Sequence, residues 1–134
     1  MQALAIAWPV MARGVEDVPG MRSRRTPHPL EHHPSFRAMI AAAPPLAELA
    51  TRIANHELLR ALAIACSDLA DGFASPPASR RRVQAHHRAW IHIREIDRVV
   101  TDAGRAHRAP TDIVRRAQRA IDRADILVGA LLPN

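Results

Sequence analysis

The chain has 134 residues, a formal net charge of +6 and a hydrophobic share of 48%, which excludes a compositionally disordered protein. This length allows one domain to bury an apolar core without disulfide or metal crosslinks. Aromatic residues make up only 3% of the chain and β-branched runs are scarce, so the composition disfavours a sheet and predicts an all-α fold.

Residues 1–34 are predicted to form a poorly ordered N-terminal extension or linker, and residues 35–134 the helical domain. The apolar stretch 1–11 lacks a basic leading region and is too short to span a membrane, so neither a signal peptide nor membrane association is expected. A basic run at 22–25 lies among residues that disfavour packed structure. These are Pro19, Gly20, Pro27, Pro29 and Pro34.

The first helical segment follows this extension and is predicted to break or bend sharply at Pro44-Pro45. Each proline lacks an amide donor, and the second restricts the backbone of the first. The next segment covers 46–73, with a slip in its apolar spacing near Asn55-His56. Gly72 and the sequence at 75–77 are interpreted as a helix stop.

The third segment is predicted to run from Ser79, as N-cap, to Gly104, and the fourth from Pro110 to Leu132. Apolar residues recur on both at alternating steps of three and four, which is typical of helices in a bundle. The seam of the third segment is Ala89, Ile93, Ile96, Val100 and Ala103, and that of the fourth is Ile113, Ala117, Ala120, Ala124, Leu127 and Leu131. Because the connection between them is short, the two segments are predicted to form an antiparallel hairpin within an up-down four-helix bundle.

Arginine is concentrated on these last two segments. All nineteen basic side chains are arginine, and residues 78–134 hold twelve of them against six acidic residues. A guanidinium keeps its charge and offers a planar fork of donors that suits phosphate. We therefore predict binding to RNA or DNA through phosphate contacts, without base stacking because aromatic residues are so few. The candidate residues are Arg80, Arg81, Arg82, Arg88, Arg115, Arg116, Arg119 and Arg123. A solvated surface produced by GC-rich codon usage stays open as an alternative.

Catalytic and metal sites are not predicted, so the protein is expected to be a cofactor-free non-enzyme. His87 and His92 lie five residues apart, unlike the usual spacing of zinc ligands on a helix. Asp122 and Asp125 share a helix face, but neighbouring arginines favour ion pairing over acid–base work. Cys66 is alone in an apolar run, which predicts a buried thiol and a reducing, cytoplasmic setting. A histidine-dependent metal protein stays open as a third possibility.

Four short motifs after about residue 57 resemble those of a small bacterial four-helix-bundle family. Residues 68–73 are similar to its "IAEGF", residues 79–81 to its "SRKE", residues 92–97 to its "SLAELE" and residues 121–129 to its "LLDEIGRMLNGL". The family is found in ribosomal-RNA intervening sequences and includes the accessory variability protein of diversity-generating retroelements. The resemblance covers about 75 of the 134 residues.

This resemblance implies a homo-oligomer, a pentameric barrel in the best-understood branch, whose basic surface binds nucleic acid and a partner reverse transcriptase. It carries over no catalytic residue. The resulting hypothesis is a non-enzymatic accessory factor to a reverse transcriptase or a ribosomal-RNA element. The alternative is a structural or protein-interaction homo-oligomer with no nucleic-acid role.

Overall fold

Four α-helices account for most of residues 29–133, the part of the chain that the computed structural model describes. A 3-10 turn at Pro29–His32 precedes α1 (Pro34–Ile53), α2 (Glu57–Ala74), α3 (Arg80–Arg105) and α4 (Thr111–Gly129). Each helix packs on the next along the chain, and α4 packs back on α1, so the four close into a ring. Short connections make these neighbours antiparallel. The predicted all-α four-helix bundle is confirmed.

The core of the bundle is aliphatic, as the sparse aromatic content predicted. The predicted α3 seam is fully buried, including Ile93, Ile96 and Val100. The predicted α4 seam is partly wrong. Ile121 and Val128, which it left out, are buried, whereas Leu131, which it included, is exposed. A straight helix turns once every 3.6 residues, so a strict alternation of three and four drifts away from the buried face.

The predicted break at Pro44-Pro45 is wrong, because α1 continues through both prolines to Ile53. The missing amides leave the carbonyls of Ile40 and Ala41 without their intrahelical donors. Both residues are exposed, so water can bond to those carbonyls. The cost of the prolines is therefore reduced by their position on the solvent side of α1.

The boundary between the first two helices lies at the slip in apolar spacing instead. Ala54 adopts a left-handed conformation (φ 52°), which ends α1 after Ile53. The Asn55 side-chain oxygen then accepts a hydrogen bond from the Glu57 amide at 3.0 Å, where α2 begins. The start of α3 is as predicted, since the Ser79 hydroxyl accepts a hydrogen bond from the Arg82 amide at 3.2 Å.

The predicted end of the second helix is confirmed, because α2 ends at Ala74, two residues after Gly72 and directly before the sequence at 75–77. Gly72 itself is buried against α3, where a Cβ atom at this position would overlap the His86 ring and lie 2.5 Å from its Nε2. The absence of a side chain therefore allows α2 and α3 to approach closely at this point.

The last residues of the predicted linker are packed, which corrects the interpretation of residues 29–34. Leu30 packs against the core, and the His33 ring stacks on Phe73 with 3.7 Å between centroids. The Glu31 carbonyl accepts a hydrogen bond from Arg37 at 3.1 Å. The remainder of the predicted extension, residues 1–28, lies outside the described residues.

Pro44→Ala is expected to raise the free energy of unfolding by about 1–2 kcal/mol, since it restores an amide donor inside α1. The gain is smaller than the full helix-interior penalty because alanine also increases the entropy of the unfolded chain. Pro34→Ala is the matched control, since proline at the first turn is favourable and its loss should leave stability unchanged or slightly lower. Urea denaturation of the three proteins measures this difference, and a destabilised Pro44→Ala protein would contradict it.

Gly72→Ala is expected to lower the free energy of unfolding by about 1–3 kcal/mol, because the new methyl group overlaps His86 and forces α2 and α3 apart. Gly129→Ala should leave stability unchanged or raise it by up to about 1 kcal/mol, as alanine favours helix over glycine. At Gly129 the nearest atom to a new Cβ, Trp90 Nε1, lies 3.4 Å away. Equal effects of the two substitutions in urea denaturation would refute the close-packing role of Gly72.

Candidate nucleic-acid interface

Three of the predicted arginines form a row along the outer face of α4. Arg115, Arg119 and Arg123 are spaced four residues apart and are all exposed, while Ile113, Ala117, Ile121, Ala124 and Val128 face the core. At 1.5 Å per residue the row extends about 12 Å along the helix. The amphipathic pattern of α4 thus turns these guanidinium groups toward solvent.

The members of this α4 row have no ion pair and no side-chain hydrogen bond with any residue in 29–133. Two acidic groups of α4 lie on the same face: Asp122 accepts a hydrogen bond from the Gln118 amide at 2.9 Å, and Asp112 pairs with Arg116 at 3.5 Å. Since both carboxylates already have partners, the three arginines of the row leave this face positively charged and hydrated. Such a surface attracts anions through charge that is not already neutralised within the protein.

The other predicted arginines do not join this row. Arg81 pairs with Asp71 at 3.1 Å, and Arg88 approaches Asp68 at 3.5 Å and Asp71 at 3.8 Å, so both face α2. Arg80 is exposed at the start of α3, at the opposite end of the bundle from the start of α4.

Two further predicted arginines hold helices together. Arg116 pairs with Glu48 of α1 at 3.4 Å and with Asp112 at 3.5 Å. Arg82 donates from Nε to the Gly72 carbonyl at 2.9 Å and from Nη2 to the Phe73 carbonyl at 3.0 Å. Arg82 therefore caps the C-terminal end of α2, where carbonyls lack intrahelical donors.

Two of the three aspartates of α4, Asp122 and Asp125, bind partners on α3 or on their own helix. Asp125 accepts a hydrogen bond from Trp90 Nε1 at 2.8 Å and forms an ion pair with Arg94 at 3.3 Å. The amide of Gln118 donates to both Asp97, at 2.6 Å, and Asp122. Sequence reasoning missed Gln118, because an isolated glutamine carries no motif and its role depends on which helix faces it.

The structure also places the cysteine and the other metal-ligating residue types considered from sequence. Cys66 is buried as predicted, and burial raises the pKa of its thiol to about 12. Among the described residues there is no group of three or more histidine, cysteine or acidic side chains placed to hold a metal ion. No helix within this range is long and apolar enough to cross a membrane.

Two histidines flank Phe73 at the end of the bundle where α2 meets α3. His33 stacks on one side of the ring, and His86 meets it edge-on with 4.7 Å between centroids. His86 is buried, and its Nε2 has no hydrogen-bond partner among the described residues. Burial lowers the pKa of His86, and the charges of Arg82 and His33 lower it further. Burial, Arg82 and His32 lower the pKa of His33 in the same way.

Stability is expected to fall as the pH is lowered from 7 through 6.5, the ordinary pKa of histidine. Because the folded-state pKa values of His33 and His86 are depressed, the unfolded chain takes up protons first as the pH falls. This uptake lowers the free energy of the unfolded state relative to the folded state. The stabilisation is thus present above pH 6.5 and is lost as the pH falls toward the depressed values. His33→Gln/His86→Gln should flatten this dependence in urea denaturation at pH 5–7.5. A control pair at exposed positions, His56→Gln/His87→Gln, should keep it, and equal slopes for both pairs would contradict the assignment.

Comparison with known proteins finds no family model, curated protein or solved structure that matches this chain. Membership of the intervening-sequence family stays a prediction based on four short motifs.

Proposed function

We propose that the protein binds nucleic acid through the α4 row, Arg115, Arg119 and Arg123. The observation that carries this proposal is that three exposed guanidinium groups lie in line without an ion pair to any described residue. Neutralising phosphates with such groups releases the counterions condensed on the nucleic acid, which drives binding at low salt.

The paired arginines contribute less to this interaction. Arg81, Arg88 and Arg116 are already close to carboxylates, so a phosphate must compete with an internal partner. Arg82 is held by two backbone carbonyls, and moving it would uncap α2. Arg80 is free to support binding from the other end of the bundle. The functional set is thus smaller than the eight arginines that the sequence predicts.

The positions of the aromatic residues, away from the α4 row, favour duplex nucleic acid over single strands as the partner. Phe36 is buried, Phe73 lies between His33 and His86, and Trp90 bonds to Asp125. No aromatic side chain of residues 29–133 therefore lies in the α4 row, and stacking on splayed bases has no platform there. A row of exposed cations on a helix suits the phosphate backbone of duplex RNA or DNA, contacted without sequence readout.

The biological setting that we propose follows the family resemblance: an accessory factor for a reverse transcriptase or a ribosomal-RNA element. A homo-oligomer of the kind that the family implies would repeat the α4 row on each copy. Repeated weak sites on one particle raise overall affinity without any new contact. Light scattering measures the subunit number, and a monomer would remove this contribution and leave a single row.

The test compares two triple substitutions that remove equal charge. Arg115→Gln/Arg119→Gln/Arg123→Gln removes the unpaired row, whereas Arg60→Gln/Arg94→Gln/Arg98→Gln removes arginines that pair with carboxylates. Filter binding to a duplex of random sequence is measured over a series of salt concentrations. The row variant should lose affinity and reduce the slope of log affinity against log salt by up to about three.

The control triple should stay close to the parent protein in both affinity and slope. Equal losses in the two triples would show that net charge, rather than the row, determines binding. No binding of the parent protein at low salt would end the nucleic-acid proposal and favour the alternative of a structural or protein-interaction bundle.

A further inference from the structure

A pocket of about 310 Å³ lies at the end of the bundle where α2 ends, α3 begins and the chain leaves α4. Its apolar lining is Phe73, Val83, Leu131 and Pro133, and its polar lining includes Arg82 and His86. Small-molecule sites in proteins are typically concave and mostly apolar, with a few fixed polar groups. This pocket has that composition, and it is separate from the α4 row.

Arg82 brings a fixed and uncompensated charge to this pocket. Its Nε and Nη2 atoms donate to the carbonyls of Gly72 and Phe73, and its guanidinium carbon lies 5.7 Å from the centre of the Phe73 ring. Those acceptors are neutral, and within residues 29–133 Arg82 has no ion pair. The guanidinium is therefore held in place while its charge and its remaining N–H donors stay available.

The permanent charge in the lining of this pocket is the Arg82 guanidinium. Burial, and after it the charge of Arg82, lowers the pKa of His86 and of His33, which favours the neutral form of both rings. Asp71 of α2, next to Gly72 in the chain, has its carboxylate engaged by Arg81 and Arg88. An anion placed in the pocket would offset a positive potential that these described groups leave unbalanced.

We propose that this pocket binds a small carboxylate with an apolar ring, its carboxylate on Arg82 and its ring against Phe73, Val83 and Leu131. An enclosed apolar cavity of about 150 Å³ accommodates benzene, so a pocket of about 310 Å³ has room for a monocyclic acid. A planar guanidinium fork also matches the geometry of a carboxylate. The ligand class is thus set by the charge of Arg82 and the apolar wall beside it.

Benzoate and its uncharged analogue benzamide are suitable probes, because they have nearly the same shape and differ in charge. Titration of the full chain, followed by ¹⁵N-labelled NMR, should show saturable benzoate binding with shifts centred on residues 73 and 82–86. Benzamide should bind roughly tenfold more weakly or not at all, since it cannot form charge-assisted bonds to Arg82. Equal affinity for the two probes, or no saturable benzoate binding, would overturn the proposal.

Substitutions separate the pocket from general attraction to a basic surface. Arg82→Gln should reduce benzoate affinity to the level of benzamide, whereas Arg80→Gln, which removes the same charge at an exposed position, should leave it unchanged. An equal loss of benzoate affinity in the two variants would overturn the proposal, because it would show that the basic surface attracts benzoate as an adventitious anion only.

Because Arg82 also caps α2, a second pair of variants tests the pocket with Arg82 in place. Val83→Trp fills the space and should abolish binding of both probes, while Gln84→Trp places the same side chain on the exposed surface and should not. Unchanged benzoate binding by Val83→Trp would overturn the assignment of this pocket. None of these variants alters the α4 row, so the outcome is independent of nucleic-acid binding.

Discussion

The contact between Gly72 and the His86 ring sets how closely α2 and α3 can lie, and the end of the bundle is built around it. With the helices at this distance, Phe73 fits between His33 and His86, and Arg82 reaches the terminal carbonyls of α2. One missing side chain thus permits an aromatic stack, a helix cap and a pocket wall. The same packing buries the His86 Nε2 atom, which has no hydrogen-bond partner within residues 29–133, so this end of the protein is coupled to protonation.

The arginines of residues 29–133 differ in what their guanidinium groups contact, and three groups are relevant to binding. Some pair with carboxylates on a neighbouring helix, as Arg88 and Arg116 do, and some cap helix ends, as Arg82 does for α2 and Arg108 does for the Ile53 carbonyl of α1. The α4 row belongs to the third group, which is exposed and unpaired. Within residues 29–133 the number of arginines therefore overstates the number of unpaired guanidinium groups that an external ligand meets.

Much of this fold could be predicted from the sequence, because apolar periodicity and capping residues are local signals. They located the four-helix bundle, the Ser79 cap and the buried face of α3. The error at Pro44-Pro45 and the missed packing role of Gly72 concern positions whose effect depends on tertiary surroundings. A proline is tolerated where the freed carbonyl meets water, and a glycine near a helix end can also mark close packing. The sequence also could not predict which arginines are paired, since ion pairs such as Arg116 with Glu48 join residues that are distant in sequence.

The two adjacent prolines of α1 also affect how this helix can open. Pro44 and Pro45 lie near the middle of α1, between residues 34–43 and residues 46–53. The intrahelical hydrogen bonds that their backbone amides would donate are missing there. Buried Ala42, Ala43 and Leu46 join the two halves through side-chain packing. Most helices unravel from their ends, where few contacts restrain them. In α1 the most easily hydrated backbone lies near the midpoint, so solvent can enter the helix there while both termini stay anchored.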